Sequence, residues 1–244
     1  MRICALGSGS SGNALLVEGP RGVFLVDAGL PWREIESRAA QAGLSLTGLE
    51  WVVLTHEHTD HVRGLDRLRR RGVRVAASAG TLRALAIEGT ALEPGMEIAG
   101  VRLFAFPIPH DARQPVGLRF EANGTRMGIA TDLGRITDDV LTALAPCQTV
   151  VLEANHDVSM LLSGPYPWPL KLRILGPDGH LANEETGRAV RRLGSGLQQV
   201  LLAHLSDENN TPALALETVA QAVDGWCGRL YLTYPDRPSV VVGA

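Results

Sequence analysis

The sequence predicts an α/β protein in which two mixed sheets pack together with helices outside. Two blocks of the chain each pass from short β-like runs into alternating helical and strand-like segments, the pattern of layered folds. Apolar residues make up 45% and charged residues 20% of the 244, enough to build a core and too apolar for a disordered chain. Neither a short-period repeat nor a linker-like tract divides the sequence, so residues 1–244 are read as one domain.

In order along the chain, RICAL, NALLVEG and GVFLVDAG are strand-like runs separated by Gly-rich or Pro-Gly turns, as in a meander. PWREIESRAAQAG reads as a helix with Pro31 near its first turn and Gly43 as its stop. EWVVLTH is a buried strand, DHVRGLDRLRRRG one helix and VRVAAS another strand. From about Gly95 to Asp132, β character returns in VRLFAFPIPH, VGLRFEA and RMGIATD. Helix and strand then alternate through ITDDVLTALA, TVVLEAN, ANEETGRAVRRLG, QQVLLAH, TPALALETVAQAVDG and GRLYLTY. Within this region SGPYPWPLKLRILGPDGH is Pro-rich and reads as a long irregular loop, a kind that often carries function.

Composition excludes several classes. Cys4, Cys147 and Cys227 are widely spaced with no CxxC pair, which excludes a disulfide framework and a thiolate zinc finger and predicts small buried apolar residues. No apolar stretch reaches the length of a membrane span, and MRICALGSGSSG lacks a signal-peptide core, so a cytoplasmic protein without membrane association is expected. With a net charge of −3, a nucleic-acid partner would have to meet one basic face.

The histidines carry the chemistry. THEHTDH (55–61) packs three of them and an acid behind an apolar run. His56, His110 and His204 each end a strand-like run, and Asp132 ends another. Strand carboxyl ends gather along one edge of a layered α/β fold, where ligands bind, so these four are expected to meet. In an extended stretch His56 and His58 point the same way, while Asp60 and His61, on the turn opening a helix, reach a second centre. The pattern predicts two divalent metal ions per chain, with His56, His58 and His110 on one, Asp60, His61 and His204 on the other, and Asp132 between them.

Together with Asp27, which ends FLVDAG, these motifs resemble in order and spacing those of the metallo-β-lactamase superfamily. The resemblance implies an αβ/βα four-layer sandwich with two metals at one edge, and makes Asp27 a residue that orients the HxHxDH loop. SGSSGN (8–13), LEANHD (152–157), GPYPWPLKLRILGPDGHLANEETG (164–187) and HLSDENN (204–210) resemble the YycJ (WalJ) family of metal-dependent nucleases. This chain departs from that family at Ala182, reading GHLAN for GHLSN. The segment also parallels the RNase Z branch, whose assisting Glu and His fall on Glu153 and His180 by order along the chain. Such a pair lets a carboxylate-oriented imidazolium protonate a departing sugar oxygen. His156 is expected behind the ligands or as a cap for the following helix.

For substrate, SGSSGN offers a backbone nest for phosphate with Ser10, Ser11 and Asn13, although a Gly-Ser hairpin turn reads the same. Ser206, Asn209 and Asn210 offer uncharged donors to phosphate or sugar, with helix capping by Asn210 as the competing account. Lys171 and Arg173, with Tyr166 and Trp168, either bind a single strand or belong to a loop clasped onto the core. Arg67, Arg69, Arg70, Arg71 and Arg74 form a solvated surface or a track for DNA backbone.

The function expected is a metal-dependent phosphodiesterase acting on nucleic acid. The YycJ resemblance implies a 5′→3′ exonuclease on single- and also double-stranded DNA, with DNA repair as an association of the family. A hydroxide bridging the metals attacks phosphorus, Asp60 stands among the catalytic groups, and His180 supported by Glu153 assists the leaving 3′-oxygen. Mn suits phosphate oxygens as the working metal, and the His-rich ligands also suit Zn. The alternatives are an RNA endonuclease, a small phosphodiester or ester hydrolase, and a regulatory module that binds metal and DNA without turnover.

Overall fold

The computed structural model describes residues 1–243. Its first block forms β1 (Arg2–Gly7), β2 (Ala14–Gly19), β3 (Gly22–Val26), α1 (Trp32–Gln41), β4 (Trp51–Leu54), α2 (Thr59–Val62), α3 (Leu65–Arg70), β5 (Arg74–Ala77), α4 (Ala79–Leu85) and β6 (Thr90–Ala91). The second forms β7 (Met96–Ile98), β8 (Val101–Pro107), β9 (Val116–Ala122), β10 (Thr125–Ala130), α5 (Asp138–Leu144), β11 (Thr149–Glu153), α6 (Val158–Ser163) and α7 (Trp168–Leu175). It continues through α8 (Asn183–Leu193), β12 (Gln199–Ala203), α9 (Pro212–Ala222), β13 (Arg229–Leu232) and β14 (Val242–Gly243). Two seven-stranded sheets result, ordered β14-β1-β2-β3-β4-β5-β6 and β13-β12-β11-β10-β9-β8-β7. Each is antiparallel where hairpins connect its strands and turns parallel at β3–β4 and at β10–β11.

Alternation along the strands builds the layers. Leu15 and Val17 on β2, Phe24 and Val26 on β3, Met127 and Ile129 on β10, and Leu201 and Ala203 on β12 form the core between the sheets. Their neighbours Leu16 and Leu25 pack with Ile35 of α1 and Leu68 of α3, while Val200 and Leu202 pack with Val190 of α8 and Val219 of α9. Central strands are therefore buried on both faces, which is why they read as unbroken apolar runs. Phe24 and Phe120 join the two sheets edge to face, with ring centroids 5.6 Å apart. The expected sandwich of two mixed sheets flanked by helices is present.

Three local expectations need correction. DHVRGLDRLRRRG is two helices, because the chain breaks at Gly64, whose N–H donates to Ala28 O at 2.6 Å. A Cβ there would stand 2.1 Å from Leu30 O, so close contact between backbones fixes the break, and helix periodicity carries no trace of it. The segment 163–180 contains α7, although its prolines suggest a loop. Pro167 precedes the helix and Pro169 lies in its first turn, where a missing N–H breaks no helical bond. Cys227 is exposed, while Cys4 and Cys147 are buried as expected. Among the described residues, no helix is long and apolar enough to cross a membrane.

Candidate metal centre

Asp27 follows β3, His56 lies just past β4, Asp132 just past β10, Glu153 ends β11 and His204 follows β12. Asp27, Asp132 and His204 take left-handed backbone, with φ of 62°, 60° and 55°. That conformation costs a non-glycine residue roughly 1–2 kcal/mol. All three lie in the site, so the strain sits where it positions functional side chains.

The donor atoms form two adjoining clusters. Those of His56, His58 and His110 lie within 4.8 Å of one another, as do those of Asp60, His61, Asp132 and His204. His58 Nδ1 is 3.1 Å from His110 Nε2. His61 Nε2 is 3.3 Å from Asp132 Oδ2 and 3.4 Å from Asp60 Oδ2, and His204 Nε2 is 3.4 Å from Asp132 Oδ1 and 3.6 Å from Asp60 Oδ2. Ligands about 2.0–2.1 Å from a tetrahedral cation stand about 3.3–3.4 Å apart, so these separations match the edges of coordination polyhedra. His56 Nε2, Asp132 Oδ2 and His204 Nε2 are buried without a hydrogen-bond partner. Since buried polar atoms are seldom left unsatisfied, this donor set fits a dinuclear divalent-metal site.

A second layer of contacts holds the ligands. The Asp27 carboxylate accepts from Thr55 N at 2.8 Å and Thr55 Oγ1 at 2.9 Å, and meets His61 Nδ1 at 2.8 Å. It thereby orients His61 with Nε2 toward the cluster. Thr55 Oγ1 also lies 3.0 Å from His56 Nδ1. Asn13 donates from Nδ2 to Asp60 Oδ2 at 3.1 Å, and its backbone N–H donates to Asp60 O at 2.8 Å. Ser8 Oγ accepts from His204 N at 2.9 Å, and Asn155 Nδ2 donates to His204 O at 2.8 Å.

Glu153 is wholly buried and uses both carboxylate oxygens. Oε1 meets His180 Nδ1 at 2.8 Å and His204 Nδ1 at 3.0 Å, while Oε2 accepts from Leu133 N at 2.8 Å and Leu181 N at 3.3 Å. Its donor atoms come within 4.8 Å of those of Asp132, His180 and His204. Its two oxygens are engaged by four donors, an arrangement suited to orienting imidazoles. One carboxylate thus joins His204, of the second cluster, to His180 beside it.

The protonation pattern divides the two clusters. Burial pushes His56 well below the usual histidine range and lowers His110 as well, leaving neutral rings with free lone pairs. Burial also disfavours charge on His61 and His204, but the Asp27 and Asp132 carboxylates lift His61 well above its usual range, and Asp132 leads the groups that raise His204 to about 10. Burial would raise Asp132, yet His204 and His61 hold it well below the usual carboxylate range. In metal-free protein these carboxylates therefore favour imidazolium at both positions. Loading at pH 8 is expected to release about two protons per chain, and to weaken as pH falls. Calorimetric titration of chelated protein with Mn or Zn in buffers of different ionisation enthalpy measures this. Release near zero would mean that both rings are neutral before metal binds.

Several expected substrate contacts prove to be structural. In SGSSGN the N–H groups of Ser8, Gly9, Gly12 and Asn13 bond to Tyr234 O, Asn13 Oδ1, Gly9 O and Asp60 O, so they do not form an open nest. The loop braces Asp60, and the exposed hydroxyl groups of Ser10 and Ser11 are what it offers outward. Lys171 is buried, with Nζ donating to Leu162 O at 2.6 Å and Gly164 O at 2.8 Å, which ties α7 to the end of α6. Asn209 and Asn210 are buried, and Asn210 Nδ2 donates to Ala154 O and Asn155 O. Thr211, not Asn210, caps α9 through Oγ1. Asp157 caps α6, while His156 is buried with neither ring nitrogen bonded and is pushed down to about 4 by burial. Arg71 and Arg74 stack over Trp32 and Trp51, and Arg74 pairs with Glu50, as in a solvated surface.

Arg173 Nε donates to Asp111 Oδ2 at 2.7 Å, and Asp111 Oδ1 is 3.6 Å from His110 Nε2. Thr55, Asn155, Asp111 and Ser8 are the contributors that motif reading missed. Thr55 and Asp111 stand directly beside ligand histidines in sequence, which is the signal that could have found them.

Comparison with known proteins places this geometry in a family. The Beta-lactamase superfamily domain matches residues 23–205. Exodeoxyribonuclease YycJ of Bacillus anthracis is 34% identical over 236 residues, covering 92% of this chain and 89% of that protein. Exodeoxyribonuclease WalJ of Streptococcus pneumoniae is 35% identical over 228 residues, covering 88% and 85%. A ribonuclease Z of Mycobacterium sp. is a more distant relative, 29% identical over 180 residues, with 67% and 61% covered. Among solved structures, the metallo-β-lactamase fold protein YhfI from Bacillus subtilis superposes with a TM-score of 0.76 at 14% identity, covering 99% of this chain and 98% of that one. The chain belongs to the metallo-β-lactamase superfamily, in the group that includes YycJ and WalJ.

Proposed function

We propose that the protein is a metal-dependent nuclease, a DNA exonuclease that cuts from the 5′ end of single-stranded and also double-stranded DNA. The observation that carries the reading is the Glu153–His180 pair, 2.8 Å apart beside the ligand clusters. It supplies a proton donor where a poor leaving group, a sugar oxygen, must depart. The exodeoxyribonuclease relatives support the choice of DNA. Two bound divalent cations would lower the pKa of a water and neutralise phosphate oxygens, Mn in the active enzyme and Zn as a ligand-compatible substitute.

The chain's own residues do the rest. Asp60, the most open carboxylate of the cluster, faces the reacting water and orients it for attack. His180 gives the proton on Nε2 to the departing 3′-oxygen, while Glu153 holds Nδ1. Ser10, Arg173 and Ser206 border the cavity beside His180 and contact the substrate's phosphates or sugar. A second reading, RNA endonuclease, draws on the parallel of the Glu–His pair with ribonuclease Z.

Digestion of end-labelled single- and double-stranded DNA and of RNA, with Mn present and His61→Ala as control, tests the proposal. Stepwise loss from the 5′ end of DNA, absent in the variant, is the expected result. Internal cuts confined to RNA would select the second reading, and hydrolysis of small diesters alone would remove the nuclease reading.

A further inference from the structure

A cavity of about 180 Å³ opens against His180. Tyr166, Leu170 and Ile174 give it an apolar wall, and Ser10, Ser206 and Arg173 give it polar edges. Arg173 is held at Nε by Asp111, which fixes the plane of the guanidinium and leaves both Nη groups without a protein partner among the described residues. The Ser10 and Tyr166 hydroxyl groups are likewise unengaged among the described residues. A planar fork with two free N–H₂ groups suits a phosphate dianion, and an aromatic wall suits a base.

His180 decides which part of a substrate reaches this cavity. Its Nδ1 is taken by Glu153, so Nε2 is the atom left for a substrate oxygen. In the hydrolysis proposed above, water oxygen bonds to phosphorus, the P–O3′ bond breaks, and O3′ takes the proton from His180. The remaining strand keeps the phosphate, and the departing group is the nucleotide on the His180 side. The cavity is smaller than the roughly 300–1,000 Å³ of pockets for drug-sized ligands. It has room for a terminal phosphate and the part of a base that meets its apolar wall, and none for a continuing strand.

We propose, resting on the nuclease reading, that this cavity seats the 5′-terminal nucleotide as it is cut off. Its 5′-phosphate lies on the Arg173 fork and Ser10, and its base lies against Tyr166 and Leu170. The enzyme is then an exonuclease because the strand ends here, and a 5′-phosphorylated end is preferred over a 5′-hydroxyl.

The test compares Mn-loaded wild type with Arg173→Ala and Arg173→Lys on one oligonucleotide bearing either 5′-phosphate or 5′-hydroxyl. Wild type is expected to favour the phosphorylated end by about tenfold in kcat/KM, as for a lost charge-assisted hydrogen bond, and to release mononucleotides. Arg173→Ala brings the ratio to about one, and Arg173→Lys restores part of it. Arg173 is 59% exposed, so folding survives the change. A wild-type ratio near one, a ratio unchanged in Arg173→Ala, or a dinucleotide first product overturns the proposal. Calorimetry with deoxythymidine 5′-monophosphate against thymidine judges the cavity independently. If no DNA is cut, the nuclease reading fails. Phosphate-dependent binding lost in Arg173→Ala then still supports a mononucleotide site, and its absence rejects one.

Discussion

Asp132→Ala is expected to lose metal from both clusters and to abolish hydrolysis. Asp132 is 2% exposed, and its two oxygens face the Nε2 atoms of His204 and His61 at 3.4 and 3.3 Å. Removing a partner that only orients a ligand weakens metal binding about 10–100-fold. Loss of the carboxylate shared by two ligands should exceed that range. The metal-free protein is also expected to lose about 3–5 kcal/mol, the scale for breaking a buried ion pair. The sign with pH follows from His204. Its raised pKa gives stability that is complete below the unfolded value near 6.5 and disappears as pH rises through about 10. The deficit of the variant should therefore be larger at pH 6 than above pH 10. Metal content and urea unfolding of chelated protein at the two pH values check both parts. A variant that keeps two metals per chain and its rate would remove Asp132 from the centre.

The clustering of the candidate ligands was legible because His56, Asp132 and His204 each follow a recognisable strand and the HxHxDH motif carries His58, Asp60 and His61 beside them. WVVL, MGIA and VLLA are apolar runs whose ends carry His56, Asp132 and His204, and parallel strands bring such ends to one edge. The same logic failed for the polar residues outside strands. Asn13, Lys171 and Asn210 read as substrate donors, since sequence shows a donor but not which buried carbonyl will claim it. Backbone carbonyls at the ends of α6 and β11 took the donors of Lys171 and Asn210, and Gly9 O and the Asp60 carboxylate took that of Asn13, because buried acceptors must be satisfied. The helix break at Gly64 was hidden for a related reason. It is set by the β3–α1 turn, some thirty-five residues earlier in the chain, where Ala28 accepts the Gly64 N–H. The departure at Ala182 has a simple consequence: it precedes α8 without a side-chain cap.

His180→Ala is expected to lower DNA cleavage by about 10²–10⁴-fold, the usual contribution of a positioned general acid. The loss should depend on the leaving group. A departing sugar oxygen needs a proton, whereas nitrophenolate departs as a stable anion, so the variant should retain most activity on bis(p-nitrophenyl) phosphate. Metal content should be unchanged, since the hydrogen bond that holds His180 is to Glu153 Oε1, at 2.8 Å, while Asp132 Oδ1 stands 4.0 Å from its Nδ1. Glu153→Gln separates the two duties of that oxygen. It removes the charge that lies 3.0 Å from His204 Nδ1 as well as the support of His180. Metal affinity should then fall by about 10–100-fold, and both substrates should suffer. Equal losses on DNA and on the nitrophenyl diester in His180→Ala would mean that His180 positions substrate or metal instead of protonating the leaving oxygen. A selective loss on DNA, with metal retained, leaves proton transfer as the role that fits both the geometry and the chemistry.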